Sequence, residues 1–158
     1  MFLPVVRRLG LITDVDHFVL HHALRQLARW RRLPGCSTLT CAVNTNEEVL
    51  ASADMATPYT RALADHGLPP DALVVELPES HLSDSPDLAA AVAHLRATGV
   101  KVALDDFGTH SSSLSRLHRV PVDTVKLDRD FLTTSPGAAL DPSGLAASSI
   151  WLTASVCA

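Results

Sequence analysis

The sequence predicts an α/β protein built on a parallel sheet, either a β/α barrel or an open α/β sheet. Three observations lead there. Runs of strand composition alternate with runs of helical periodicity from near the start of the chain. Four strand runs share one phase, apolar on one face and ending on a polar residue on the other. Those polar ends, Asn44, Glu76, Asp105 and Lys126, lie 32, 29 and 21 residues apart, each enough for a helix and its loops.

The elements follow in order. Residues 13–32, "TDVDHFVLHHALRQLARWRR", set Val15, Phe18, Val19, Leu20, Ala23, Leu27 and Trp30 on a broad apolar face. Thr13 or Asp14 is the expected cap, and Pro34-Gly35 the stop. "TLTCAVN" reads as a strand, "TPYTRALADHG" as a helix ending at Gly67, and "ALVVELPE" as the next strand. In "SPDLAAAVAHLRATG", Ser85 suits the N-cap, Pro86 the first turn, and Gly99 the left-handed residue after the helix. "VKVALDD" is a strand, "SSLSRLHRV" a short helix and "DTVKLD" a strand. The division expected is 1–131 as the β/α part and 132–158 as a divergent tail, a loop with room for one helix over its last residues.

Alternation puts Leu73, Val75 and Leu77 on one face and Val74 and Glu76 on the other. The same phase separates Val100, Val102 and Leu104 from Lys101, Ala103 and Asp105, and Val125 and Leu127 from Thr124 and Lys126. Parallel strands with polar C-terminal tips are how such folds build active sites. Asn44, Glu76, Asp105 and the adjacent Asp106 are hard oxygen ligands, which favour Mg²⁺ or Mn²⁺ over Zn²⁺. Paired hard ions suit phosphoryl hydrolysis, and Lys126 would add positive charge near the phosphate or the attacking water.

The wording of these segments carries further. "VVELPES", "VALDDFGTHSSSLSRLHRVPVDTVKLDRDF" and "HALRQLARWRRLPG", in unbroken order from Phe2 to Phe131, resemble the EAL domain family, the cyclic di-GMP phosphodiesterases of bacterial signalling. "CAVNTN" is similar to that family's V-N-x-S strand. The resemblance implies a partial TIM-like (β/α) barrel of about four β/α units, Mg²⁺ or Mn²⁺ as cofactor, and hydrolysis of cyclic di-GMP to linear pGpG. It implies Asn44, Glu76 and Asp105 as ligands of one metal, and Asp105 and Asp106 of a second. Lys126 matches the lysine that helps activate the water, Asp128 the nearby acidic position, and Glu79 the glutamate that shapes the loop after the D-D strand.

Departures temper the activity expected. No Glu-Ala-Leu signature precedes "FLPVVRRLGLI", and no later E-G-V-E segment appears, since the last glutamate is Glu79. The chain therefore reads as truncated at both ends, with weak or no hydrolysis of its own. His110 stands for a glycine in the D-F-G-T-G turn, Pro78 for a threonine, and Asn46 for a serine. A non-catalytic module that binds cyclic di-GMP or a protein, and a non-functional gene fragment, are the alternative readings.

Composition bounds the rest. With 158 residues, 47% hydrophobic and 19% charged, the chain suits one globular domain or part of a larger one. A net charge of −4 and 4% aromatic content argue against a nucleic-acid polymer as partner. A homodimer or an adjoining signalling domain is the partner class expected instead. Cys36, Cys41 and Cys157 lack C-x-x-C spacing and suit reduced thiols in the cytoplasm. The uncharged last 17 residues fall short of the ~20 that span a membrane. His17 and His21 lie at i, i+4, a spacing that can bind metal, but with no H-E-x-x-H pattern they read as a solvated or half-buried helix face, and His66 as an isolated surface residue.

Overall fold

The computed structural model of the chain describes residues 3–45, 49, 54–81, 86–107, 120–127 and 151–154. In order it runs α1 (Leu3–Arg8), α2 (Ile12–Trp30), β1 (Cys41–Asn44), α3 (Ala56–Asp65), β2 (Leu73–Pro78), α4 (Pro86–Ala97), β3 (Lys101–Phe107), β4 (Thr124–Leu127) and β5 (Trp151–Ala154). Short 3₁₀ turns at Pro70–Ala72 and Glu79–His81 flank β2.

Each strand pairs in parallel with the next, so the spatial order β1-β2-β3-β4-β5 repeats the chain order. That progression separates the two architectures left open by the strand pattern. A doubly wound sheet reverses direction at a switch point, whereas a barrel wall adds every strand on the same side. Helices α2, α3 and α4 bury their apolar residues in one cluster with Val43, Leu73, Val75, Leu77, Val102, Leu104, Val125 and Leu127. The strand residues of that cluster are the apolar phase read from the sequence. The opposite face carries the polar tips.

Local physics explains most boundaries. Gly99, at φ +94°, closes the α4 turn where a side chain is strained, and a Cβ there would lie 3.1 Å from the Pro70 Cβ. Helix α4 buries Leu88, Val92 and Leu95, as its periodicity requires. Helix α2 differs from expectation. It starts at Ile12 with Leu11 at the N-cap and no side-chain cap, so neither Thr13 nor Asp14 serves. Its buried residues are Ile12, Leu20, Leu24 and Leu27, while Phe18, Val19 and Trp30 are 69%, 49% and 50% exposed. The apolar stripe is wider than the face that meets the sheet.

Trp151–Ala154 form a strand where the sequence left room for a helix. The free edge of β4 offers a row of backbone groups, and pairing Thr124–Leu127 with Trp151–Ala154 satisfies them. The Ser85 cap, all but Val120 of the helix expected over 112–120, and residues 132–150 lie outside the described residues. Among the described residues no helix is long and apolar enough to cross a membrane.

Candidate functional site

Asn44 on β1 and Glu76 on β2 are register partners, and the row continues through Ala103 on β3 to Thr124 on β4. All four belong to the face away from the helices. The next step along β3 is irregular. Leu104 pairs with Val125, but Phe107 pairs with Leu127, so Asp105 and Asp106 together oppose Lys126. This is a β-bulge, rare between parallel strands. Asp106 takes the extra position at φ +56°, a left-handed conformation that Asp tolerates better than most residues.

The bulge solves a burial problem. Strict alternation would send Asp106 into the helix-packed face after Val102 and Leu104, and Phe107 out of it. The extra residue leaves Asp106 exposed and returns Phe107 to the core at 3% exposure. Both carboxylates thereby stay out of the apolar cluster beside Lys126.

Lys126 reaches across β3, and its ammonium donates to Glu76 Oε1 two strands away. The same Nζ lies 3.7 Å from Asp105 Oδ1. Glu76 is buried, at 6% exposure, whereas the Lys126 and Asp105 side chains are about one-quarter exposed. Burial opposes the lysine's charge, but the hydrogen bond and charge of Glu76, with the charge of Asp105, outweigh it and raise its pKa. Lys126 is therefore an ammonium at neutral pH and acts there as a charge and donor rather than a base.

Two supports around this cluster were not read from the sequence. Thr45, just beyond β1, donates its N–H to the Glu76 carbonyl at 3.1 Å. Its hydroxyl accepts from Tyr59 Oη of α3 at 2.8 Å, tying helix to strand tip. Burial pushes the Tyr59 phenol up to about 12, against the Thr45 hydrogen bond. Its signal was the i, i+3 spacing from Ala56 on the buried face of α3. Before β4, Asp123 takes Arg96 Nε at 3.0 Å, Arg96 Nη2 at 2.6 Å and the Val102 N–H at 2.9 Å. Burial resists the Asp123 charge, yet these donors prevail and lower its pKa. The clamp fixes the start of β4 three residues before Lys126.

Of the site residues expected, the structure brings together Glu76, Asp105 and Lys126, with Asn44 exposed beside Glu76 and Asp106 exposed in the bulge. Glu79 is buried at 2% exposure in the turn after β2. Asp128 and His110 lie outside the described residues. Among the described residues no three of His, Cys, Asp and Glu form a ready-made metal cage. The donors nevertheless fit a hard divalent ion in chemistry. All are oxygens, and two carboxylates already share one cation, the Lys126 ammonium.

Comparison with known proteins agrees with this arrangement. The cyclic di-GMP phosphodiesterase PdeR of Escherichia coli is 36% identical over 132 residues, 83% of this chain and 20% of PdeR. The bifunctional diguanylate cyclase/cyclic di-GMP phosphodiesterase MucR of Pseudomonas aeruginosa is 36% identical over 132 residues, 83% of this chain and 19% of MucR. The chain thus spans about one-fifth of the length of these curated relatives. The solved MucR phosphodiesterase in complex with c-di-GMP superposes with a TM-score of 0.75 at 31% identity, covering 96% of this chain and 65% of that one. The Xanthomonas citri FimX EAL domain, at 24% identity and a TM-score of 0.77, shares the fold. The family model for the EAL domain matches residues 1–149. With its singly wound parallel sheet and its carboxylates and lysine gathered at the strand tips, the chain belongs to the EAL domain family.

Proposed function

We propose that the strand tips bind cyclic di-GMP and support metal-assisted hydrolysis of one phosphodiester bond to linear pGpG, slowly in this 158-residue chain by itself. The observation that carries this reading is the Lys126 ammonium joined to Glu76 and close to Asp105 on the face away from the helices. The relative solved with c-di-GMP, at 31% identity, supports the choice of ligand.

In this reading Asn44, Glu76, Asp105 and Asp106 supply oxygens to Mg²⁺ or Mn²⁺. What such ions contribute when bound is a hydroxide at neutral pH and positive charge on the leaving oxygen. Lys126, held as an ammonium, balances phosphate charge and donates to the attacking water or a phosphoryl oxygen. Glu79 steadies the loop after the D-D strand, and Asp128 is the acidic neighbour of the lysine. Binding without turnover is the second reading, which His110 in place of the glycine of the D-F-G-T-G turn favours.

The protein acts in the cytoplasm in this proposal, with an adjoining signalling domain or a second copy as partner. Chromatography of cyclic di-GMP incubated with the chain and Mn²⁺ tests it. Slow pGpG formation that stops in Asp105→Asn supports hydrolysis at the strand tips. Product formed equally by wild type and Asp105→Asn refutes it.

A further inference from the structure

Away from the strand tips, α2 and the end of α3 bring two imidazoles together. His21 Nδ1 and His66 Nε2 lie 3.2 Å apart although 45 residues separate them. His17, one turn before His21, packs edge-on against it with ring centroids 4.6 Å apart. The group borders a groove of about 380 Å³ that Asp14, His22 and Arg25 also line. His66 is thus not the isolated surface residue its sequence position suggests.

Two imidazole nitrogens bound to one ion at ~2.05 Å sit about 3.3 Å apart at a tetrahedral centre and about 2.9 Å apart at the right angles of a square-planar or octahedral one. The 3.2 Å separation of His21 and His66 lies within that range. We propose that His21 and His66 form a two-imidazole site for a borderline divalent transition metal of the Zn²⁺ or Ni²⁺ class, with water in the remaining positions. Such ions prefer imidazole, whereas the strand tips offer only hard oxygens.

The surroundings suit the proposal. Coordination needs neutral rings, each presenting a lone pair to the ion. Partial burial, then the neighbouring His17 and His66, lower the His21 pKa against the opposing charge of Asp65. Asp14, His17, His22 and Arg25 on α2, and Asp65 and His66 at the end of α3, are the titratable and charged groups facing it. No third protein ligand is required, in keeping with the absence of any three-residue cage among the described residues. The ion would pin α2 to α3, the helices that pack with Val43 of β1, the strand carrying Asn44.

Calorimetric titration of the full chain with NiCl₂, in excess Mg²⁺ to occupy the oxygen donors, tests the site near neutral pH. Ni²⁺ avoids the preference of Zn²⁺ for the Cys36 and Cys41 thiols. The expected result is one site weakened at least about tenfold in His21→Gln and in His66→Gln. The absence of a wild-type site, or His66→Gln affinity within about twofold of wild type, overturns the proposal. Wild-type NMR gives a readout that needs no variant. Paramagnetic Ni²⁺ should broaden the His21 and His66 ring signals first, and earlier broadening of other histidines contradicts the assignment.

Discussion

Replacing Lys126 by methionine isolates the charge at the centre of the site. Methionine keeps most of the stem and removes the ammonium that Glu76 and Asp105 share. Glu76, at 6% exposure, is then a nearly buried carboxylate without that partner. Removing one member of a buried pair costs about 3–5 kcal/mol, and the 24% exposure of Lys126 places this one near 3. The loss should therefore be about 3 kcal/mol at pH 7, measured by urea unfolding followed by circular dichroism. A loss below ~1 kcal/mol refutes the buried pair.

Other perturbations test the supports. Asp106→Val places a β-branched residue at φ +56° and should cost about 1–2 kcal/mol, while Asp106→Gly should cost far less, read by chemical denaturation. Asp123→Asn should cost about 2 kcal/mol at pH 7, because it weakens a charged clamp on Arg96 and Val102. The Asp123 pKa is depressed in the fold, so its contribution is present above the unfolded value of ~3.9 and fades as pH falls through the folded one. Acid titrations of wild type and variant should therefore converge below that range. Tyr59 is the single tyrosine, so ultraviolet absorbance reports its ionisation alone. Its pKa is raised to about 12, so the stability it lends is present below ~10 and lost as pH rises towards 12. Phenolate absorbance should stay absent at pH ~10 until the chain unfolds; half-ionisation at ~10 in the folded protein contradicts the burial. Tyr59→Phe should cost about 1 kcal/mol through the lost Thr45 bond, measured by urea unfolding.

Much of this arrangement was legible because side-chain alternation is a local property. Leu73, Val75 and Leu77 against Val74 and Glu76 need no partner strand to be sorted, and the strand tips follow from the same phase. The bulge was not legible, because it depends on counting Asp105 and Asp106 against Lys126 across two strands. Nor was the reach of Lys126 across β3 to Glu76, which needs the register of three strands together. Phe18, Val19 and Trp30 misled for a related reason. Periodicity marks an apolar stripe but not how much of it meets the sheet, and the structure leaves these three exposed. Strand β5 answers to the open edge of β4 rather than to its own pattern, and His66 meets His21 only because α3 ends beside α2.

The most direct test of the strand-tip site is calorimetric titration with cyclic di-GMP in the presence of Mn²⁺. Wild type and the Asp105→Asn/Asp106→Asn variant should be compared, since asparagine keeps the shape of the bulge and removes both charges. The account predicts binding by wild type that depends on Mn²⁺ and weakens at least about tenfold in the variant, with folding retained by circular dichroism. Equal affinity in the two proteins, with and without Mn²⁺, would contradict it.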